Sequence, residues 1–190
     1  ALGKCKLTTM KQGLRAQMRA KRNGLPPNSY AQKSAQIRDK LESLEQFKKS
    51  EHILVYLSKE KEVDSHALVR ELIRSHKEVY APKVNGRDLH AYKINRWEEL
   101  EPGHFDVLEP IHKHQKIPLS QLDLILVPGI AFTPDGHRIG YGKGYYDGLL
   151  KDMDAIKIGL AFEEQMVDEF PTEDHDIPVD IVITDQNVYQ

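Results

Sequence analysis

The sequence predicts an α/β fold, a layered α/β/α single domain with a mostly parallel central sheet and an N-terminal basic helix. Three observations predict it. Apolar runs at 52–58, 122–127, 156–162 and 180–184 have the length and branching of buried strands. Between them, at 65–76 and 145–153, lie stretches with helical spacing, and strands alternating with helices build layered domains around parallel sheets. A chain of 190 residues is long enough for one good core and is most simply one domain, assigned here to residues 10–190.

The elements follow in order. Ala1–Thr9 reads as a leader with little part in the fold, and Cys5 with it. Lys11 to Gly24 is predicted as a helix, with Leu14 and Met18 on one face. Lys11, Arg15, Arg19 and Arg22 form a neighbouring stripe, commonly the mark of a solvated face. Pro26-Pro27-Asn28-Ser29 separates it from a second helix, Tyr30 to Phe47, apolar at Ile37, Leu41 and Leu44. His52 to Ser58 is the first strand, and Lys59 to Asp64 a charged turn. A helix from Ser65 to His76 turns Leu68, Leu72 and Ile73 inward. Val79 to Val84 and Leu89 to Ile94 pair across the Asn85-Gly86 turn. Arg96 to His114 is rich in turn residues and reads as a loop covering a site or crossing between strands. Leu122 to Val127 is the central strand, followed by a glycine-rich turn and a helix from Tyr145 to Met153. Ile156 to Phe162 and Asp180 to Thr184 complete the sheet, with no internal repeat.

Composition narrows the class. The net charge of −2 makes no demand for nucleic acid or an acidic surface, although residues 1–38 carry no Asp or Glu and many Lys and Arg. A lone cysteine excludes an internal disulfide and a Cys-rich zinc site and fits a reducing compartment. No apolar run approaches membrane-spanning length. The expectation is a cytoplasmic protein that binds neither membrane nor nucleic acid.

The chemistry concentrates behind the central strand. Gly136, Gly140, Gly142 and Gly144 are interleaved with Arg138 and Lys143, and Tyr145-Tyr146-Asp147 opens a helix. Glycines let backbone amides approach a ligand, and cations beside a helix start suit a polyphosphate. Asp147 and Asp176 are the carboxylates that pair best on a magnesium ion, which takes one or two carboxylates plus phosphate oxygens and water. Taken singly, each is more often a cap. The loop is no P-loop, since His137 stands five residues before Gly142 and Gly144 follows Lys143. Nor is it a dinucleotide fingerprint, because Tyr145 occupies the third glycine position. A steric, glycine-rich connection is the plain alternative. In a parallel sheet the ligand lies beyond the carboxyl ends of the strands, where Glu62, Arg138, Lys143, Asp147 and the Asp174-His175-Asp176 cluster would converge.

These residues carry a resemblance. Pro128-Gly129, Phe132, Gly136, Arg138, Gly140 and Gly142-Lys143-Gly144-Tyr145-Tyr146-Asp147 resemble the signature of the 5-formyltetrahydrofolate cyclo-ligase family. Lys11-Gln-Gly-Leu-Arg15, Leu57, Glu62, Pro82-Lys83, Glu109-Pro110 and His175-Asp-Ile-Pro-Val-Asp180 agree in the family's order, so the likeness spans Met10 to Asp185. It implies an ATP- and magnesium-dependent closure of 5-formyltetrahydrofolate to 5,10-methenyltetrahydrofolate through a phosphorylated formyl group. A monomer acting on this small-molecule folate, with or without a polyglutamate tail, is the accompanying expectation. By position it assigns ATP to Lys11, Gln12, Gly13, Leu14 and Arg15 and to Arg138, Ile139, Gly140, Tyr141, Gly142, Lys143, Gly144, Tyr145 and Tyr146. Arg138 and Lys143 would be catalytic and Asp147 and Asp176 the metal ligands. Leu57, Glu62, Phe105 and the segment Tyr141, Gly142, Lys143, Gly144, Tyr145 would meet the folate. Phe105 stands where some members have Trp, Gly148 where many have Arg, and Tyr141 and Lys143 at positions the family varies.

Two rival readings make different demands. A nucleic-acid-binding module would use the basic segment 1–38 and lose binding with salt. A nucleotide- or sugar-phosphate-binding enzyme of similar fold would bind ATP yet leave formyltetrahydrofolate untouched.

Overall fold

A computed structural model describes residues 2–111, 115–151 and 153–190, with side chains described from residue 8 onward. The Cys5 side chain and the 112–114 end of the expected covering loop lie outside the described residues. The helices are α1 (Leu2–Asn23), α2 (Pro27–Ser43), α3 (Glu45–Lys49), α4 (His66–Arg74) and α5 (Tyr145–Leu150). The strands are β1 (His52–Leu54), β2 (Glu78–Asn85), β3 (Asp88–Lys93), β4 (Leu100–Pro102), β5 (Leu108–Pro110), β6 (Lys116–Ile117), β7 (Leu124–Val127), β8 (Ala131–Phe132), β9 (Arg138–Ile139), β10 (Ile156–Leu160), β11 (Ile181–Ile183) and β12 (Val188–Tyr189).

Eight strands form the main sheet in the order β12-β11-β10-β7-β1-β2-β3-β6. The inner five, β11, β10, β7, β1 and β2, pair in parallel, and each end closes antiparallel. Taken in chain order, the parallel core therefore runs 2-1-3-4-5, the arrangement whose ligand crevice opens between its first and third strands, here β1 and β7. Both faces are covered, which is why β7 (Leu-Ile-Leu-Val) and β11 (Ile-Val-Ile) are apolar throughout rather than alternating. Ile53, Leu124, Leu126, Ile158 and Ile181 meet Ile37 and Leu41 of α2, Phe47 of α3 and Leu68 and Leu72 of α4. Leu54, Ile125, Val127 and Val182 face the other way, with Leu149 and Leu150 of α5. Full burial of a side chain of this size contributes roughly 1.5–3 kcal/mol, and all four residues of β7 are fully buried.

Phe132 fixes how the strands meet below the glycine loop. Its ring is fully buried, and a β-carbon on Gly159 would lie 2.5 Å from it and one on Gly129 2.6 Å. The two glycines are there because the ring occupies the space a side chain would need.

Several expectations move. Helix α1 begins at Leu2, not Lys11, so residues 2–9 continue the helix. Strand β1 ends at Leu54; Val55 still donates its N–H to the Tyr80 carbonyl at 2.9 Å, and beyond it the buried Tyr56 and Leu57 turn to line the site. The second helix breaks at Leu44, whose extended backbone starts α3. The α5 helix stops at Leu150, short of Met153. The stretch expected to be irregular holds the pair β4–β5, with Leu100 against Pro110 and Pro102 against Leu108, and the turn after β7 holds the hairpin β8–β9.

Candidate active site

Beyond the carboxyl ends of β1 and β7 lies a cavity of about 350 Å³. One wall is the chain after β1, with Tyr56, Leu57, Lys59 and Glu62; another is the glycine loop from Arg138 to Asp147. Helix α1 supplies Lys11 and Arg15, and the turn between β4 and β5 supplies His104, Phe105 and Val107.

The loop is held by α1 from outside and by a buried ion pair from inside. Arg15 Nε donates to the Gly140 carbonyl at 2.8 Å. Gly142 and Gly144 have φ of 89° and 70°, which side chains rarely adopt, and Gly144 stands as the cap before α5. Arg138 Nη2 donates to Asp147 Oδ1 at 2.8 Å across one turn of loop and helix. Burial lowers the Arg138 pKa, opposed by the charge of Asp147. Its Nε is buried with no hydrogen-bond partner among the described residues. A buried N–H of a cation lining a cavity calls for an acceptor, and an anionic ligand supplies one.

Lys11 is buried and donates to Asp176 Oδ2 at 2.7 Å and to Glu173 Oε2 at 3.3 Å. Burial alone would raise the Asp176 pKa; the Lys11 ammonium and the Glu173 N–H outweigh it and hold it below the ordinary value. Ile177 N–H approaches Asp147 Oδ1 at 3.5 Å, which brings the Asp176 turn against the start of α5. Hydrogen bonds among the described residues fall on one oxygen of each carboxylate, Oδ1 of Asp147 and Oδ2 of Asp176. The second oxygens accept no hydrogen bond among the described residues, although His175 Nε2 lies 3.9 Å from Asp176 Oδ1, and two such carboxylates are of the donor type magnesium takes beside phosphate and water. Donor atoms of Glu173, His175 and Asp176 lie within 4.8 Å of one another, but the His175 side chain is 71% exposed.

At the opposite end Glu62 is buried and its carboxylate spans two donors. Tyr141 OH donates to Oε1, and Lys59 N–H bonds Oε2 at 2.9 Å. Burial raises the Glu62 pKa, against the lowering effect of those two bonds and of Arg22. Tyr56, Tyr141 and Tyr146 all have phenols raised by burial and then by the Glu62 charge. Phe105 projects over the mouth, 55% exposed, with Lys59 and Lys143 ammonium groups 5.9 and 6.0 Å from its ring centre. Its own φ of 58° is left-handed, as is that of Asp106.

The cavity thus gathers most of the residues singled out in the sequence: Lys11, Arg15, Leu57, Glu62, Phe105, Arg138, Ile139, Gly140 through Asp147, and Asp176. Gln12 and Gly13 are exposed outside it, and Leu14 packs with Met18 against Ile130, Ala131 and Ile139. Asp174 is exposed and does not line it. The basic stripe is no solvated face: Lys11 and Arg22 are buried, Arg15 is bonded to the loop, and only Arg19 lies outside, 3.6 Å from Glu60. Sequence reasoning missed Lys59, His104, Glu109 and Pro82 as lining residues. It also gave Arg22 no place in the site, although its spacing of seven from Arg15 puts it on the same face, two turns on.

Known proteins share this architecture and sequence. The profile of the 5-formyltetrahydrofolate cyclo-ligase family matches residues 7–185. The chain belongs to this family. Relatives include the 5-formyltetrahydrofolate cyclo-ligase of Mus musculus, 28% identical over 93% of this chain and 94% of that one. The Escherichia coli enzyme of the same name is 28% identical over 91% of this chain and 99% of its own. The NMR structure of the 5,10-methenyltetrahydrofolate synthetase of Aquifex aeolicus superposes with a TM-score of 0.88 at 35% identity, covering 95% of this chain and 92% of that one. The family's ligases and the mixed α/β fold expected from sequence agree here. Among the described residues no helix is long and apolar enough to cross a membrane.

Proposed function

We propose that the chain closes 5-formyltetrahydrofolate to 5,10-methenyltetrahydrofolate at the expense of ATP, releasing ADP and phosphate, with magnesium as cofactor. The observation that carries this reading is that one cavity is cationic and glycine-lined at one end and has a buried carboxylate with aromatic walls at the other. The cationic end suits the phosphates of a nucleotide, and the carboxylate end suits a flat ring with hydrogen-bond donors on its edge.

The reaction needs a poor leaving group made better. The formyl oxygen of the folate takes the terminal phosphoryl group of ATP, forming an O–P bond as the bond to ADP breaks. The neighbouring N10 then attacks the formyl carbon and loses its proton, and the C–O bond breaks to release phosphate. No protein nucleophile is required, so positioning and charge neutralisation are the protein's contribution.

In this reading Arg138 and Lys143 stabilise charge on the transferring group. Amides of the Gly140–Tyr146 segment and Lys11 to Arg15 hold the nucleotide, Gln12, Gly13 and Leu14 through the placement of their helix rather than by lining the cavity. Asp147 and Asp176 hold the magnesium, which supplies neutralisation of the phosphate oxygens. Glu62 accepts hydrogen bonds from the polar edge of the pterin, while Leu57, Phe105 and Tyr145 pack on its faces. The enzyme would act as a cytoplasmic monomer, with polyglutamate tails leaving past the exposed mouth.

The inward-facing stripe argues against the nucleic-acid module, because its cations are engaged within the chain. The deciding experiment follows the near-ultraviolet absorbance of the methenyl product when purified protein meets 5-formyltetrahydrofolate, with and without magnesium-ATP. Product that forms only with magnesium-ATP is expected; ATP binding without product would favour a different nucleotide enzyme.

A further inference from the structure

Among the described residues Arg22 is the largest fully buried side chain; it lies on α1 two turns beyond Arg15, and its ion pair there is a loose one to the half-exposed Glu60. Its Nη1 donates to the Tyr141 hydroxyl at 3.0 Å, and that hydroxyl donates onward to Glu62 Oε1. Glu60, on the surface, comes no closer to its Nη2 than 3.7 Å, and Nε and Nη2 have no hydrogen-bond partner among the described residues. An arginine is rarely buried this way unless its charge is used, because removing it from water is costly.

We infer that Arg22 is a positioning residue: through the Tyr141 hydroxyl it holds the Glu62 carboxylate ionised and aimed into the cavity, tying the substrate end of the site to the helix that serves the nucleotide end. The inference rests on the reading of Glu62 as the pterin acceptor. The chemistry requires such a device. Glu62 sits among Tyr30 of α2, Tyr56 after β1, Tyr141 of the loop and Tyr146 of α5, all neutral phenols, with Lys59 offering its N–H. Asp64 and Glu60 add negative charge nearby. Arg22 and the Lys59 ammonium are the cations that favour the ionised form. Arg22 is the buried one of the two, so water screens it least. A hydroxyl that receives from a guanidinium is also polarised to donate more strongly to the carboxylate beyond it. The pairing further explains why Lys11 and Arg15 share a helix with Arg22: one rigid rod sets the distance between two ligand subsites.

The test compares Arg22→Met, Arg22→Lys, Tyr141→Phe and Glu62→Gln in steady-state assays across pH, with binding of 5-formyltetrahydrofolate measured by calorimetry. Arg22→Met is expected to raise KM for the folate about tenfold while KM for ATP stays within about twofold, the range for losing a charge-assisted hydrogen bond. The acidic limb of kcat/KM should move to higher pH, since an acid without its cation is harder to ionise. Arg22→Lys should recover part of both effects, and Tyr141→Phe should move the limb in the same direction. Should Arg22→Met fail to fold, Arg22→Lys and Tyr141→Phe carry the comparison. An impaired Glu62→Gln beside variants at 22 and 141 with an unmoved acidic limb overturns the role of Arg22 alone. A Glu62→Gln enzyme with normal folate affinity overturns the pterin-acceptor reading, and the inference with it.

Discussion

Asp147→Ala separates two roles that the structure places on one side chain. The carboxylate is a proposed magnesium ligand, and it is also the partner of Arg138 at 2.8 Å, a guanidinium whose side chain is only 4% exposed. Removing one member of a buried pair costs about 3–5 kcal/mol, and the 25% exposure of Asp147 lets water replace part of the loss, leaving about 2–3 kcal/mol. In a domain of this size about 1 kcal/mol moves the melting temperature by roughly 2–4 °C. The ligand-free variant should therefore melt about 5–10 °C below the parent, by calorimetry or dye fluorescence, in addition to losing about a hundredfold or more in turnover. Adding Arg138→Met should restore part of the stability, because an apolar replacement of the pair leaves no stranded charge, while turnover stays lost. A ligand-free Asp147→Ala protein melting within about 2 °C of the parent would refute the reasoning, since it would mean the ion pair does not hold the loop.

Other outcomes follow from separate features. Lys143→Ala, at an exposed position, should lose turnover about a hundredfold with no change in melting temperature; retained turnover removes its catalytic role. Arg15→Ala should raise KM for ATP more than KM for the folate in initial-rate assays, since Arg15 bonds the Gly140 carbonyl; the reverse order would separate α1 from the nucleotide. Gly159→Ala should destabilise by at least about 1–3 kcal/mol in urea titrations, because its β-carbon would lie 2.5 Å from Phe132; Phe132→Leu should restore part of it. Burial lowers the His66 pKa below its ordinary 6.5, with Arg70 adding to it and Asp64 opposing. A depressed folded pKa gives stability that is full above pH 6.5 and is lost as pH falls through the native value. Melting temperatures of His66→Phe should accordingly fall less than those of the parent between neutral pH and mild acid.

Legibility in the sequence differed by the range of the interaction. The runs at 124–127 and 181–183 are apolar on both faces, and a strand buried on both sides leaves that trace in any sequence. Tyr56 and Leu57 misled because a buried segment past the end of a strand is as apolar as the strand itself. Strands β4 and β5 are both Leu-Glu-Pro, and proline argues against a strand except at edges and short pairs. Two-residue edge strands such as β6 and β12 offer no period at all. In the site, glycines and cations in one loop announce themselves by residue type. Arg22 shows only a helical spacing of seven from Arg15, because the group it bonds, Tyr141, lies 119 positions away.

The dependence of the site on α1 also bears on the order in which the molecule assembles. The bonds from that helix to the cavity wall skip 119, 125 and 165 residues. A growing polypeptide therefore exposes Leu14 and Met18 for most of its synthesis, before the hairpin they rest on exists. Late docking of an early-made segment is slow in closure entropy and leaves an apolar stripe open to chaperones and proteases in the interval. Helix α1 rests on the β8–β9 hairpin and adds no strand to the main sheet, so amide exchange along 11–22 should be faster than in β7 and should slow when both substrates are bound.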